Sequence, residues 1–152
     1  MNARTNWRGR QRRPRDEQGS AAIEAAIGIP AFGLFVTMII MGGRVELAKQ
    51  SVDSAAHDAA RGASIQRSQS EATAAGKSAA ASSLHSQNLD CTSTDITVNA
   101  AAFNAPLGTT AQVTATVSCH VDLSDLTLPG VPGQRVITAT ARSPVDAYRE
   151  RR

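Results

Sequence analysis

Hydrophobic positions fall along this chain in three regimes. Ala25 to Gly43 is an unbroken apolar block of 19 residues without a charge. At 1.5 Å per residue a helix of that length spans about 28 Å, close to a bilayer's hydrocarbon thickness. A buried core helix would carry a polar face, and a cleaved secretory signal has a shorter apolar core. The block therefore predicts one transmembrane helix, from about Ser20 to Gly43. Beyond it, Val45, Ala48, Val52, Ala55 and Ala59 recur at steps of three and four, which continues the helix to about Ile65 as one rod. The opposite face holds Glu46, Lys49, Asp53 and Arg61. The mostly alanine stripe reads equally as a subunit-packing surface or as a surface against the chain's own C-terminal domain.

Gly62 and the polar run Gln66 to Gln69 predict a break. Ser68 followed by Glu71 fits a capping box. A second helix then runs from about Ser70 to Leu84, with Ala72, Ala75, Ala79 and Ser83 as its small-residue face. Alanine is the best helix former, which favours this over a flexible linker. After Asn88 the period changes to two. Asp95–Asn99, Gln112–Ser118 and Arg135–Ala141 alternate as half-buried strands, with turn residues at Asn104–Gly108 and an interruption at Leu128–Gly133. Short connections favour an antiparallel sheet with one face on a helix. The expected fold is α+β: a long membrane-spanning helix, an Ala/Ser-rich helix and a small antiparallel sheet of about three strands. Its expected segments are a leader at 1–19, the span at 20–43, a helical segment at 44–86 and a β-rich head at 87–152.

Charge sharpens the topology. Residues 1–19 hold six arginines against Asp16 and Glu17, so the leader carries +4 and the remainder −1. Positive charge stays inside, which puts the N-terminus in the cytoplasm and residues 44–152 on the far side of the cell membrane. The basic pI thus belongs to the leader. Topogenic or lipid-headgroup contact explains its arginines more simply than nucleic-acid binding, since Trp7 is its only aromatic. Composition also limits the head. Aromatics are 3% of the chain, and only Phe103 and Tyr148 lie beyond the span. Alanine buries little area, so the core should be thin and in need of a disulfide or packing partners.

The candidate chemistry is sparse. Cys91 and Cys119 are the only cysteines, and in an exported domain they most simply form one disulfide. A hairpin would set them at opposite ends of the strand pair unless the N-terminal segment folds back, and free buried thiols or an intermolecular bridge are the alternatives. A zinc set from Cys91, Cys119, His85 and His120 matches no common ligand spacing. His57 beside Asp58 reads as a solvated side chain. No catalytic constellation, cofactor loop or small-molecule site is expected, so the chain reads as a non-enzyme.

The cytoplasmic end of the span carries a more specific pattern. Gly19-Ser20-Ala21-Ala22-Ile23-Glu24 ends a basic leader in glycine, with a glutamate at the fifth position after it. This resembles the type IV prepilin cleavage junction. Glu24 followed six residues later by Pro30, and the later run Ala59-Ala60-Arg61, is similar to the TadE-like family, the pseudopilins of tight-adherence pilus systems. The resemblance implies a prepilin peptidase acting between Gly19 and Ser20. It also implies that Glu24 and Pro30 belong to an assembly helix, with pilin or pseudopilin subunits and pilus assembly machinery as partners. Pro30 should loosen or kink that helix. The rival reading is a single-pass membrane-anchored exported binding module outside any filament.

Overall fold

The computed structural model describes residues 17–122 and 133–148. The expectations for the arginine leader and for most of the Leu128–Gly133 interruption lie outside these residues. The chain divides into two compact units, Met1–Ile39 and Ile40–Arg152. Helix α1, Glu17–Ser64, has part of its length in each. Its start lies three residues earlier than the predicted span, and its end falls one residue before the predicted one.

In the first unit α1 is apolar and uncovered. Ile23, Ile27, Ile29, Phe32, Leu34, Phe35, Met38 and Ile39 are all exposed large hydrophobics. It is the one helix among the described residues long and apolar enough to cross a membrane, and none of its apolar window is buried. A soluble protein's core helix would be covered. A helix that exposes so much apolar surface on every side is stable where the solvent is itself apolar. Its length and surface mark a single-pass membrane anchor. The helix continues through Pro30 without a break. Proline has no N–H to donate, so the Ala26 carbonyl lacks its usual partner four residues on.

The second unit is an α+β head. Helix α2, Gln69–Ser86, follows α1 after a short polar link. Three strands follow: β1, Cys91–Asn99; β2, Ala111–Asp122; and β3, Gln134–Val145. A short 3-10 turn, Ala101–Asn104, lies between the first two. The sheet is antiparallel in the order β1-β2-β3. The period-two segments thus form strands as predicted, each longer than its alternating core.

Local signals account for the element ends. The Glu71 N–H donates to the Ser68 hydroxyl at 3.3 Å, supplying the N-cap of α2. At the other end Asn88 takes a left-handed conformation, with φ 51°. Its N–H donates to the His85 carbonyl and the Leu89 N–H to the Leu84 carbonyl. That pair of bonds is a Schellman ending, in which asparagine substitutes for the commoner glycine. Gly108, at φ 84°, turns the chain before β2. Its N–H donates to the Ala147 carbonyl at 2.9 Å, tying that loop to the end of β3.

The stripe on α1 faces its own head. Ala48, Val52, Ala55, Ala56, Ala59 and Ala60 form one cluster with Ala80 and Leu84 of α2 and with Ala115, Val117, Cys119, Ile137 and Ala141 of the sheet. A second cluster joins Ala63, Ala72, Phe103, Val113 and Val145. Of the two alternatives for the stripe, the intramolecular one holds. As the composition implied, most of these buried side chains are alanine.

Two expectations about α2 and its neighbour are corrected. Gly62 does not break α1. It lies inside the helix, where an added Cβ would meet the Ala79 Cβ at 3.1 Å, and the break falls after Ser64. The buried face of α2 is Ala72, Gly76, Ala80, Ser83 and Leu84, while Ala75 and Ala79 are only half-buried. Ala72 and Ser83 are buried as predicted, and between them the buried positions are one residue later than Ala75 and Ala79. Gly76 explains the difference: a Cβ there would sit 3.0 Å from Val98 Cγ2, 3.1 Å from the Ala59 carbonyl oxygen and 3.3 Å from the Ala63 Cβ. Glycine is what lets α2 lie between α1 and β1.

Candidate functional site

Three places carry the residues singled out from the sequence. The first is the N-terminal part of α1. The helix includes Gly19 and Ser20, so the junction lies within helical backbone. Glu24 is exposed among apolar neighbours on the same helix, with Ile23 and Ile27 both about two-thirds exposed. Glu24 and Pro30 are six residues apart, well over one turn. Among the described residues the glycines here have no packing neighbour. An added Cβ at Gly28, Gly33, Gly42 or Gly43 would meet nothing within 4 Å. Glycine inside a helix costs roughly 1 kcal/mol relative to alanine. The contrast with Gly62 and Gly76 is plain, because those two are held small by close neighbours.

The second place is the end of α1. Ala59 and Ala60 are buried and Arg61 is exposed in the last turn. The motif is thus a packing device with a charged rim. Ala59 presents its carbonyl to Gly76. Arg61 places positive charge near the carbonyl end of the helix, where the helix dipole favours it. Just beyond, the Ser143 hydroxyl donates to the Ser64 hydroxyl at 2.9 Å, and Ser64 donates to the Arg61 carbonyl at 3.0 Å. These bonds join the end of β3 to the end of α1.

The third place is the disulfide. Cys91 and Cys119 are bonded, with Cα atoms 5.4 Å apart and a sequence separation of 28. The expectation that a hairpin separates them is corrected by the register. In an antiparallel pair the start of one strand lies beside the end of the next. Cys91 pairs with Val121, and a bulge between Cys91 and Ser93 brings Thr94 opposite Cys119. The bond closes the open end of the hairpin. By loop entropy alone, a loop of this length contributes about 3.5 kcal/mol.

The remaining candidates stay apart. His57 is exposed, with Nδ1 3.6 Å from Asp53 Oδ2. Among the described residues no group of three or more His, Cys, Asp or Glu side chains is placed to hold a metal ion. Surface depressions are present among the described residues. One is lined by Glu46, Lys49, Asp53 and residues of β3, another by Arg44, Leu47, Leu89 and Asp90. Sequence reasoning missed Gly76. Its signal was a lone glycine in an otherwise alanine-rich helix, facing a strand that carries Val98.

Set against known families, residues 19–61 match the model of the TadE-like protein family. No curated protein and no solved structure matches the chain. The matched segment begins at Gly19, contains Glu24 and Pro30, and ends on Ala59-Ala60-Arg61. The resemblance read from those residues is therefore borne out over nearly all of α1, and the sheet lies beyond it.

Proposed function

We propose that this chain, TadE-like along its N-terminal helix, is a membrane-anchored pseudopilin-like structural subunit of a tight-adherence pilus assembly or secretion system. The observation that carries this reading is the division of labour along α1. Its second half contributes Ala48 to Ala60 to the core of its own head, whereas the part before Arg44 carries Glu24, Pro30 and four glycines at which an added Cβ would meet nothing within 4 Å among the described residues. Apolar surface and small residues that no part of the chain uses serve lipid and neighbouring helices. Glu24 is the charge set in this surface, and such a group is costly in a bilayer unless it has a partner. In this reading its partner is the amino terminus of a neighbouring subunit, exposed when prepilin peptidase cuts between Gly19 and Ser20.

The six arginines of the leader hold the N-terminus in the cytoplasm, and the head lies on the far side of the membrane. That compartment is where a disulfide such as Cys91–Cys119 forms and persists. The role is structural, with no catalytic step assigned to the chain. The test is Glu24→Ala in cells that build the assembly. We expect normal membrane insertion with assembly reduced at least tenfold. Unchanged assembly, together with a mature protein that retains its arginine leader, would favour an anchored module outside any filament.

A further inference from the structure

The sheet has two open edges, and they differ. Among the described residues no strand pairs with the outer side of β1 or of β3. An open edge is a row of hydrogen-bonding groups ready to pair with another strand, and natural edges are blunted by charge, bulges or cover. Strand β1 is short, bulged near Cys91 and flanked by acid, with Asp90 just before it and Asp95 within it, both exposed. Strand β3 pairs with β2 in continuous register over twelve residues and has no bulge. Its charges are basic, Arg135 and Arg142, both exposed. Between them Val136 to Ala141 form an uncharged window of high strand propensity.

We propose that the β3 edge of one copy pairs with the β1 edge of the next, in parallel, so that the sheet runs from head to head. The inference rests on the reading that copies of this chain stand side by side in one membrane. Copies anchored side by side through the same helix share one orientation across the membrane. Strands β1 and β3 are each antiparallel to β2 and so run the same way. Neighbouring copies therefore bring them together as parallel strands.

The rows across one sheet set the register for copies at equal height. Thr140 is level with Thr116 and Thr97, Ala139 with Val117 and Ile96, and Ala141 with Ala115 and Val98. Pairing at that level puts hydroxyl beside hydroxyl on the outer face and apolar beside apolar on the core face. It sets Arg135 next to Cys91 and Asp90 of the neighbour, and Arg142 next to Asn99. The like-edge alternatives are poorer. Same-direction pairing of β3 with β3 opposes Arg135 to Arg135 and Arg142 to Arg142, and pairing β1 with β1 opposes Asp95 to Asp95. Like charges directly opposite one another destabilise a strand pair. A contact between two different edges leaves each copy with one edge still open, so it propagates as an array.

The experiment uses the full chain in its own membrane, in two copies with different tags. One carries Thr97→Cys, the other Thr140→Cys; both positions are exposed on the outer face. Oxidative cross-linking should give a mixed-tag dimer that requires both cysteines. Arg135→Glu on the Thr140→Cys copy should cut its yield several-fold, and Asp90→Arg on the Thr97→Cys copy should restore it. An equal yield from Thr140→Cys alone, or no mixed dimer, overturns the edge pairing. Co-purification of the two tags separates the causes. If the tags co-purify without the cross-link, edge pairing alone fails, and if they never co-purify, the assembly reading fails with it.

Discussion

Gly76→Ala should destabilise the head, although alanine is the better helix former. Taken alone, the exchange in a helix interior gains about 1 kcal/mol. Against this stand three neighbours of the new methyl: Val98 Cγ2 at 3.0 Å, the Ala59 carbonyl oxygen at 3.1 Å and the Ala63 Cβ at 3.3 Å. Val98 can rotate by a little. The carbonyl cannot, because it belongs to the backbone of α1, and Ala63 is a methyl with no rotamer to change. Relief requires α2 to move away from α1, which loosens contacts in both buried clusters. Overpacking of this kind costs typically 1–3 kcal/mol, and backbone neighbours put the cost at the upper end. The net expectation is a loss of about 1–2 kcal/mol, or roughly 4–8 °C in Tm for a head of this size. Thermal unfolding of the full chain in detergent, followed by circular dichroism, measures it. Gly43→Ala is the control, because a methyl there meets nothing within 4 Å, and it should hold or raise the head's Tm. A Tm that rises in Gly76→Ala would refute the close approach of α2 to α1.

Other outcomes follow from the same contacts. Replacing Cys91 and Cys119 together with serine should lower stability by about 3.5 kcal/mol, and an unchanged melting curve under reducing conditions would contradict that. Ser68→Ala removes the hydroxyl that accepts from the Glu71 N–H. It should cost about 1 kcal/mol, with faster amide exchange confined to the first turn of α2, and uniform exchange across the head would count against a capping role.

The parts of the fold that were legible in sequence are those with strong contrast between neighbouring positions. The apolar block of α1 has no polar residue to confuse it, and the Thr/Val alternation of β2 and β3 can be satisfied only by a strand with one wet face. The alanine-rich helices offered no such contrast. In α2, alanine, serine and glycine occur on every side, so periodicity could not distinguish the face through Ala75 and Ala79 from the one through Gly76 and Ala80. Bulk on the partner decided it, since Val98 of β1 needs the space a missing Cβ provides. Gly62 was misread for the same reason, because a glycine that breaks a helix and one that admits a neighbour look alike until the neighbour is known. The cysteine pairing was legible from composition and compartment. Its geometry was not, because it depends on the antiparallel register and on one extra residue in β1. Within the matched segment, Glu24 and Pro30 were singled out by the resemblance, and the stripe through Ala59 left open whether its partner was the head's own core or another subunit.

That core has a mechanical side. Helix α1 is covalently the anchor in its first half and the central packing element in its second, so any pull on the apolar segment is delivered straight into the head. The disulfide reinforces β1 against β2 but takes no hold of α1. What holds α1 is a seam of methyl groups, with Val52 its largest fully buried side chain, and the Ser143–Ser64 bond at its far end. Under tension that seam is the element that slips, leaving a cross-linked sheet intact beside a displaced helix.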